Sequence, residues 1–189
     1  GKAAAPIKNN QELAQTSELL QRLYRIIMPS LGHNAVFRSA VLPRQVADFI
    51  FARYQPGMAY GEHVDDPMMG GGKLRTDVSM TVFLNDPASY AGGELVIRTS
   101  FGEKRVKLAA GSAVIYPSSS VHYVAEVTSG ERLVALTWMQ SFVRDAQQRE
   151  LLFELDQARE RLLGADAQSA TAKQVDRSYA NLLRMWAEV

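Results

Sequence analysis

The order of apolar and polar positions divides the chain into three textures. In the first, Leu13, Leu19, Leu20, Leu23, Ile26 and Ile27 recur at the three-and-four spacing of one helix face. This predicts a helix that starts near Asn10 as its cap and stops at Pro29. From about Ala35 to Val143 that period gives way to short runs rich in Val, Thr, Tyr and Phe. Turn signals separate them, at Gln55-Pro56-Gly57, Pro67 to Gly72, Asn85-Asp86-Pro87, Ala91-Gly92-Gly93, Ala110-Gly111 and Ser129-Gly130. The clearest run is Asp77 to Leu84, where Val78, Met80, Val82 and Leu84 alternate with Asp77, Ser79, Thr81 and Phe83. After Arg144 the helical spacing returns through Leu151, Leu152, Leu155 and Leu162, with Gly164 as an end signal, followed by a last helix over about Thr171 to Glu188. The pattern predicts a mainly β core over about 35–143, a sandwich or barrel, with a helix before it and a helical segment over about 145–189.

At roughly 150 residues per domain, 189 residues make a single domain, large enough to bury its own core. The formal net charge is +1, from 21 Lys+Arg against 20 Asp+Glu, so no large field draws the chain to nucleic acid or to an anionic membrane. Neither is expected as a partner. The absence of cysteine removes disulfides, thiolate nucleophiles, Cys-type zinc and iron–sulfur clusters, which leaves histidine, carboxylate, hydroxyl and lysine chemistry. No apolar run approaches the roughly 20 residues of a membrane span, and the first residues hold no apolar signal segment, which favours the cytoplasm. That expectation is tempered by a start at Gly1 rather than Met. Leu182, Leu183, Met185 and Trp186 either cover the barrel or bury against a second copy, so a homo-oligomer stays open.

Only three histidines are present, at 33, 63 and 122. In an extended segment residues two apart face the same way, so His63 and Asp65 share a face while Glu62 and Asp66 face away. His122 opens a later strand-like run, 59 residues on. Two histidines and one carboxylate on one face of an ion, with three positions left open, form the ligand set of non-haem Fe(II) oxygenases. The alternative is that both are ordinary barrel histidines, since His-X-Asp is a weak signal alone. Arg132 tips the balance. It shares a strand face with Val134, Leu136 and Trp138, where a charge is costly without a counter-ion, and no acid lies on that face of the run. A ligand carboxylate would answer it, and 2-oxoglutarate has one to offer. The alternative is a pair with Glu131, Glu126 or another surface acid.

His63-Val64-Asp65, His122 ten residues before Arg132, and Trp138 six beyond it resemble Fe(II)- and 2-oxoglutarate-dependent dioxygenases of the prolyl/lysyl hydroxylase type. Lys8-Asn9-Asn10, Asn85 through Gly92-Gly93-Glu94-Leu95-Val96-Ile97, Tyr116-Pro117-Ser118-Ser119-Ser120-Val121-His122, Gln140 to Asp145, Leu151 to Asp156 and Asn181 to Val189 resemble the bacterial PKHD-type (PiuC-like) hydroxylases, almost end to end. The resemblance implies a double-stranded β-helix (jelly roll) with helices packing on it, Fe(II) on His63, Asp65 and His122, and 2-oxoglutarate on Arg132. It implies hydroxylation of a small molecule or an amino-acid side chain by O2, with oxidative decarboxylation of 2-oxoglutarate to succinate and CO2 and with L-ascorbate as reductant. The presence of Asp65 argues for hydroxylation rather than halogenation. Members of the family begin a few dozen residues upstream of Gly1, so a leading helix or strand is expected to be missing. Their iron-uptake gene neighbourhoods make a siderophore or related metabolite conceivable as substrate.

Tyr54 stands where related hydroxylases have a tyrosine reaching the co-substrate, or else it is a core aromatic. Tyr60, three before His63, falls on the opposite face if the strand is regular. Ser79 and Thr81 line the pocket or form a solvated face, and Thr137 and Trp138 are read as strand packing. Gly70-Gly71-Gly72 is a lid or a plain linker, and His33 a turn residue. Two other classes compete with the hydroxylase: a noncatalytic jelly-roll binding module, and a cupin-type metalloenzyme that does not use 2-oxoglutarate. Cupins usually supply His-X-His and need no carboxylate-binding arginine, so His63-Val64-Asp65 and Arg132 count against the latter.

Overall fold

The structure, a computed structural model, describes residues 7–14 and 18–188. Its strands are β1 (Gln11–Glu12), β2 (Pro43–Val46), β3 (Ile50–Tyr54), β4 (Tyr60–His63), β5 (Met68–Met69), β6 (Leu74–Arg75), β7 (Val78–Phe83), β8 (Tyr90–Gly92), β9 (Leu95–Thr99), β10 (Gly102–Val106), β11 (Ala113–Pro117), β12 (His122–Val124), β13 (Val127–Gly130) and β14 (Arg132–Ser141). Its helices are α1 (Glu18–His33), α2 (Ala35–Val41), α3 (Ala146–Asp166) and α4 (Ala170–Trp186). They fall into two compact units: residues up to Arg25 with 46–139, and residues 26–45 with those from Gln140 onward.

The first unit is the jelly roll. One sheet runs in the order β1-β3-β14-β7-β11 and the other in the order β10-β9-β12-β4, with every neighbour antiparallel. Strands adjacent in space are mostly distant in sequence: β7 lies between β14 and β11, and β12 between β9 and β4. One apolar cluster joins the two sheets, with Ala52, Tyr54, Phe83 and Val134 from the first against Leu95, Ile97 and Val124 from the second. Phe83 and Leu95 are almost wholly buried, each stabilising the fold by about 1.5–3 kcal/mol relative to an exposed position. All six residues of β7 are buried. The solvated face considered for Ser79 and Thr81 is therefore absent, because β7 is a central strand.

Three boundaries ahead of β3 differ from the sequence expectation. Asn10 caps no helix, since Gln11–Glu12 pairs as a strand with Ala52 and Arg53, and the described part of α1 runs from Glu18. Pro29 does not stop α1, which runs four residues further. Proline removes only the bond from its own nitrogen to the Arg25 carbonyl, and Arg25 lies on the exposed side where water can serve it. Downstream, the Ser30 hydroxyl bonds the Ile26 carbonyl at 3.1 Å and His33 Nδ1 the Pro29 carbonyl at 2.7 Å, so His33 ends the helix rather than lying in a turn. Residues 35–41 are helix, and the strands begin at Pro43. Asn34 supplies the cap, its side chain accepting the Phe37 N–H at 2.9 Å.

In the second unit α3 packs against α4 and α2. Asp145 and Ser169 cap α3 and α4 through the N–H groups of Gln148 and Ala172. The α3 helix passes through Gly164 to Asp166, two residues beyond the expected end. Its charges are tied internally: Arg159 binds Asp156 and Asp176, and the Ser39 hydroxyl binds Asp156 at 2.5 Å. No helix among the described residues is long and apolar enough to cross a membrane.

Candidate metal centre

His63 is the last residue of β4 and His122 the first of β12, and the ladder sets them directly opposite one another. Their rings lie 4.2 Å apart between centres. Asp65 follows β4 by two residues, held where its N–H donates to the Ser118 carbonyl at 3.3 Å. One Asp65 oxygen then stands 4.0 Å from His63 Nε2 and the other 3.8 Å from His122 Nε2. Donor atoms of all three residues lie within 4.8 Å of one another. All three side chains are nearly covered, at 8, 8 and 5% exposure for His63, Asp65 and His122.

The hydrogen bonds behind the rings decide what these donors can do. His63 Nδ1 meets the Gly61 carbonyl at 2.7 Å and His122 Nδ1 the Ser120 carbonyl at 3.0 Å. A carbonyl only accepts, so each Nδ1 carries a proton, and Nε2 is the ring atom that faces Asp65 and that a neutral ring would offer to a metal. Burial holds the His63 pKa below its ordinary value, against the opposing pull of the Gly61 carbonyl, which favours the neutral ring that a metal needs. Two imidazoles and one carboxylate on one side of a space suit a ferrous ion with positions to spare.

These side chains border a cavity of about 450 Å³. Tyr54, Tyr60, Thr81, Tyr116, Arg132 and Trp138 also line it. Arg132 and Tyr54 are register partners across β14 and β3, and the guanidinium carbon lies 5.0 Å from the Tyr54 ring centre and 5.8 Å from that of Phe83. Arg132 is 1% exposed, yet its Nε and Nη2 have no hydrogen-bond partner and no described carboxylate pairs with it. Glu131, its adjacent acid, turns instead to Arg53 at 3.6 Å and Gln55 at 2.9 Å, and Glu126 is exposed. Burial lowers the Arg132 pKa while the surrounding tyrosines oppose the shift. Gly93 makes room for it: with φ of +68°, a Cβ there would stand 3.1 Å from Arg132 Cδ and 2.9 Å from Val127 Cγ2.

The structure thus brings His63, Asp65, His122, Arg132 and Tyr54 to one cavity. Two residues lie where the sequence did not put them. Tyr60 stacks on His63, with ring centres 3.7 Å apart and planes at 16°, although three-residue spacing predicted the opposite face. The reason is a register shift: the four residues Tyr60 to His63 lie opposite the three from His122 to Val124, and the bulge turns Tyr60 inward. Gly61, inside that strand, was the sequence signal for it. Burial, then the Asp65 charge, pushes the Tyr60 hydroxyl up to about 12, so it remains a donor. Trp138 is more than strand packing, since it lines the cavity with its indole N–H buried and unpartnered. Thr137 borders the cavity as well, with its hydroxyl tied to the Ala47 carbonyl at 2.8 Å. Glu62 faces outward to Arg98. Gly70-Gly71-Gly72 forms the turn between β5 and β6, from which Met69 reaches the cavity lining.

Residues 49–140 match the profile of the 2OG-Fe(II) oxygenase superfamily and residues 145–188 that of the PKHD-type hydroxylase C-terminal domain. The chain is similar to a PKHD-type hydroxylase of Thioalkalivibrio sulfidiphilus, 49% identical over 100% of this chain and 85% of the relative. A PKHD-type hydroxylase of Acaryochloris marina is 48% identical over 96% and 82%. Among solved structures, a Pseudomonas putida prolyl-4-hydroxylase aligns over 72% of this chain and 74% of its own, at 26% identity and a TM-score of 0.48.

Proposed function

Because the chain belongs to the PKHD-type hydroxylases of the 2OG-Fe(II) oxygenase superfamily, an enzyme family that works with Fe(II), 2-oxoglutarate and O2, we propose that His63, Asp65 and His122 hold the iron and that Arg132 grips the distal carboxylate of 2-oxoglutarate. Iron and 2-oxoglutarate, when bound, supply the oxidative decarboxylation to succinate and CO2 that is coupled to hydroxylation of the substrate. The chain's own contribution is geometry. His63 and His122 offer Nε2 because their Nδ1 protons are committed to backbone carbonyls. Arg132 offers a planar fork whose unpartnered donors fit a carboxylate two at a time. Tyr54 holds the guanidinium against its ring and stands beside the same carboxylate position. Tyr60, stacked on His63, restrains that ring and closes one side of the cavity to water.

The observation that carries this reading is the pairing, in one cavity, of a His-Asp-His cluster with a buried arginine whose donors have no partner. The substrate is a small molecule or an amino-acid side chain, and its hydroxylation is read as a mass gain of one oxygen atom in cell extract incubated with active enzyme. We place the enzyme in the cytosol, where 2-oxoglutarate and reduced iron are both supplied, and assign L-ascorbate the task of returning the metal to the ferrous state after uncoupled turnover. Its near-zero net charge is consistent with a reaction that involves neither nucleic acid nor a membrane surface. A second copy of the chain is a candidate partner through the exposed Met185 on α4.

The test is anaerobic addition of Fe(II) and then 2-oxoglutarate. A weak visible charge-transfer band should develop with both present and be absent from Asp65→Ala. A noncatalytic jelly roll, or a metalloenzyme that does not chelate 2-oxoglutarate, gives no band in the parent protein.

A further inference from the structure

Behind Asp65 lies a pair of buried hydroxyls that the reading above leaves unused. Ser79, on β7, is 2% exposed, and Ser118, one residue past β11, is 3% exposed. Ser79 Oγ donates to Asp65 Oδ2 at 2.5 Å and meets Ser118 Oγ at 2.7 Å. An ionised carboxylate only accepts, so the Ser79 proton goes to Asp65 and its lone pair takes the Ser118 proton. The chain is therefore directional, from Ser118 through Ser79 to Asp65, and each bond polarises the next. Ser118 holds Asp65 a second time through the backbone bond from the Asp65 N–H.

Accepting the metal role of Asp65 proposed above, we infer that Ser79 and Ser118 are positioning residues that keep the Asp65 carboxylate monodentate. A carboxylate can bind an ion through one oxygen or both, and rotation about its Cβ–Cγ bond selects between them. Ser79 engages Oδ2, the oxygen 3.8 Å from His122 Nε2, and so competes with an ion for that oxygen's lone pairs, which favours coordination through Oδ1 alone. Three protein donors leave three of six positions on the metal. A bidentate aspartate would take one of the positions that an ion held here would need for its co-substrates. Orientation of a ligating group by a hydrogen-bonded partner outside the coordination sphere is typically worth 10–100-fold in metal affinity or activity.

The experiment uses Mn(II) as probe with the full chain, in the absence of 2-oxoglutarate. Bound Mn(II) is titrated by electron paramagnetic resonance, and its coordinated waters are counted from line broadening in oxygen-17 water. The parent protein should show three waters, and Asp65→Ala should lose the site. If Asp65→Ala binds Mn(II) like the parent, the metal assignment itself is wrong, whatever the serines do. With that control passed, Ser79→Ala should weaken Mn(II) binding about tenfold or more and show two waters instead of three. Ser79→Thr, which keeps the hydroxyl, should restore both, whereas mere repacking around a lost hydroxyl would alter stability without changing the water count. Ser118→Ala keeps the direct bond and removes only the donor behind it, so a smaller loss of a few-fold is expected. It also serves as the folded test if Ser79→Ala is unstable. Three waters and parental affinity in the folded alanine variants would overturn the inference.

Discussion

Arg132 in the jelly roll and Arg149 in the helical unit are both buried, at 1% and 5% exposure, but their surroundings differ. Arg149 lies in the first turns of α3 and its Nη1 donates to the carbonyls of Val143 and Arg144, both at 2.8 Å. Its charge satisfies backbone oxygens where the chain leaves β14 and enters the helix. Arg132 is surrounded by aromatic rings and leaves two donors open. A buried cation is tolerated when its protons find acceptors and is costly when they do not. The first kind belongs to architecture. The second persists when something outside the chain completes it, and an anionic ligand is the economical completion.

That contrast can be broken in several ways, of decreasing size. Removal of a proposed metal donor should do most: His122→Ala and Asp65→Ala are expected to lose bound iron and to cut succinate formation by well over the roughly 100-fold upper range for outer partners of a ligand. Near-normal iron content and turnover in both would remove the triad. Next come the two arginines, changed alike. Arg132→Met should abolish saturable 2-oxoglutarate binding in calorimetry, while the ligand-free protein melts no lower, since a buried charge without a partner costs free energy that an apolar side chain of similar volume does not. Arg149→Met should do the reverse, losing about 1–3 kcal/mol in denaturant titration because buried carbonyls lose their donor, with the 2-oxoglutarate constant unmoved. If the two variants exchanged these outcomes, the assignment of roles would be inverted.

A milder change sharpens the same point. Arg132→Lys keeps the charge but not the fork, so the KM for 2-oxoglutarate should rise about tenfold with iron retained; an unchanged KM would mean that the arginine serves elsewhere. The smallest effect is expected from Gly93→Ala. Its Cβ would crowd Arg132 Cδ and Val127 from a left-handed backbone position, shifting the guanidinium and raising the same KM a few-fold with kcat nearly unaltered. An equal fall in kcat would point to disturbance of the metal side instead.

The identities of the groups that define the candidate site were legible from the chain alone. His63 and Asp65 share a face because strand residues two apart must, and Arg132 stood out because a charge on an apolar face demands an explanation. Periodicity also separated the strand region from the C-terminal helices. It erred at Pro29 and at residues 35–41, where the choice lay in local hydrogen bonds that pattern does not record: a Ser30 hydroxyl and a His33 ring inside α1, and the Asn34 cap of α2.

Amino-acid order thus determined which side chains are available and, through the two- and three-to-four-residue periods, which of their near neighbours they can face. Only the tertiary structure decided that His63 meets His122 across 59 residues, that a bulge turns Tyr60 onto His63, that Ser118 stands behind Asp65, and that no acid among the described residues pairs with Arg132. Register across a sheet and the pairing of buried charges depend on strands far apart in the chain, and local spacing carries no information about which of them become neighbours.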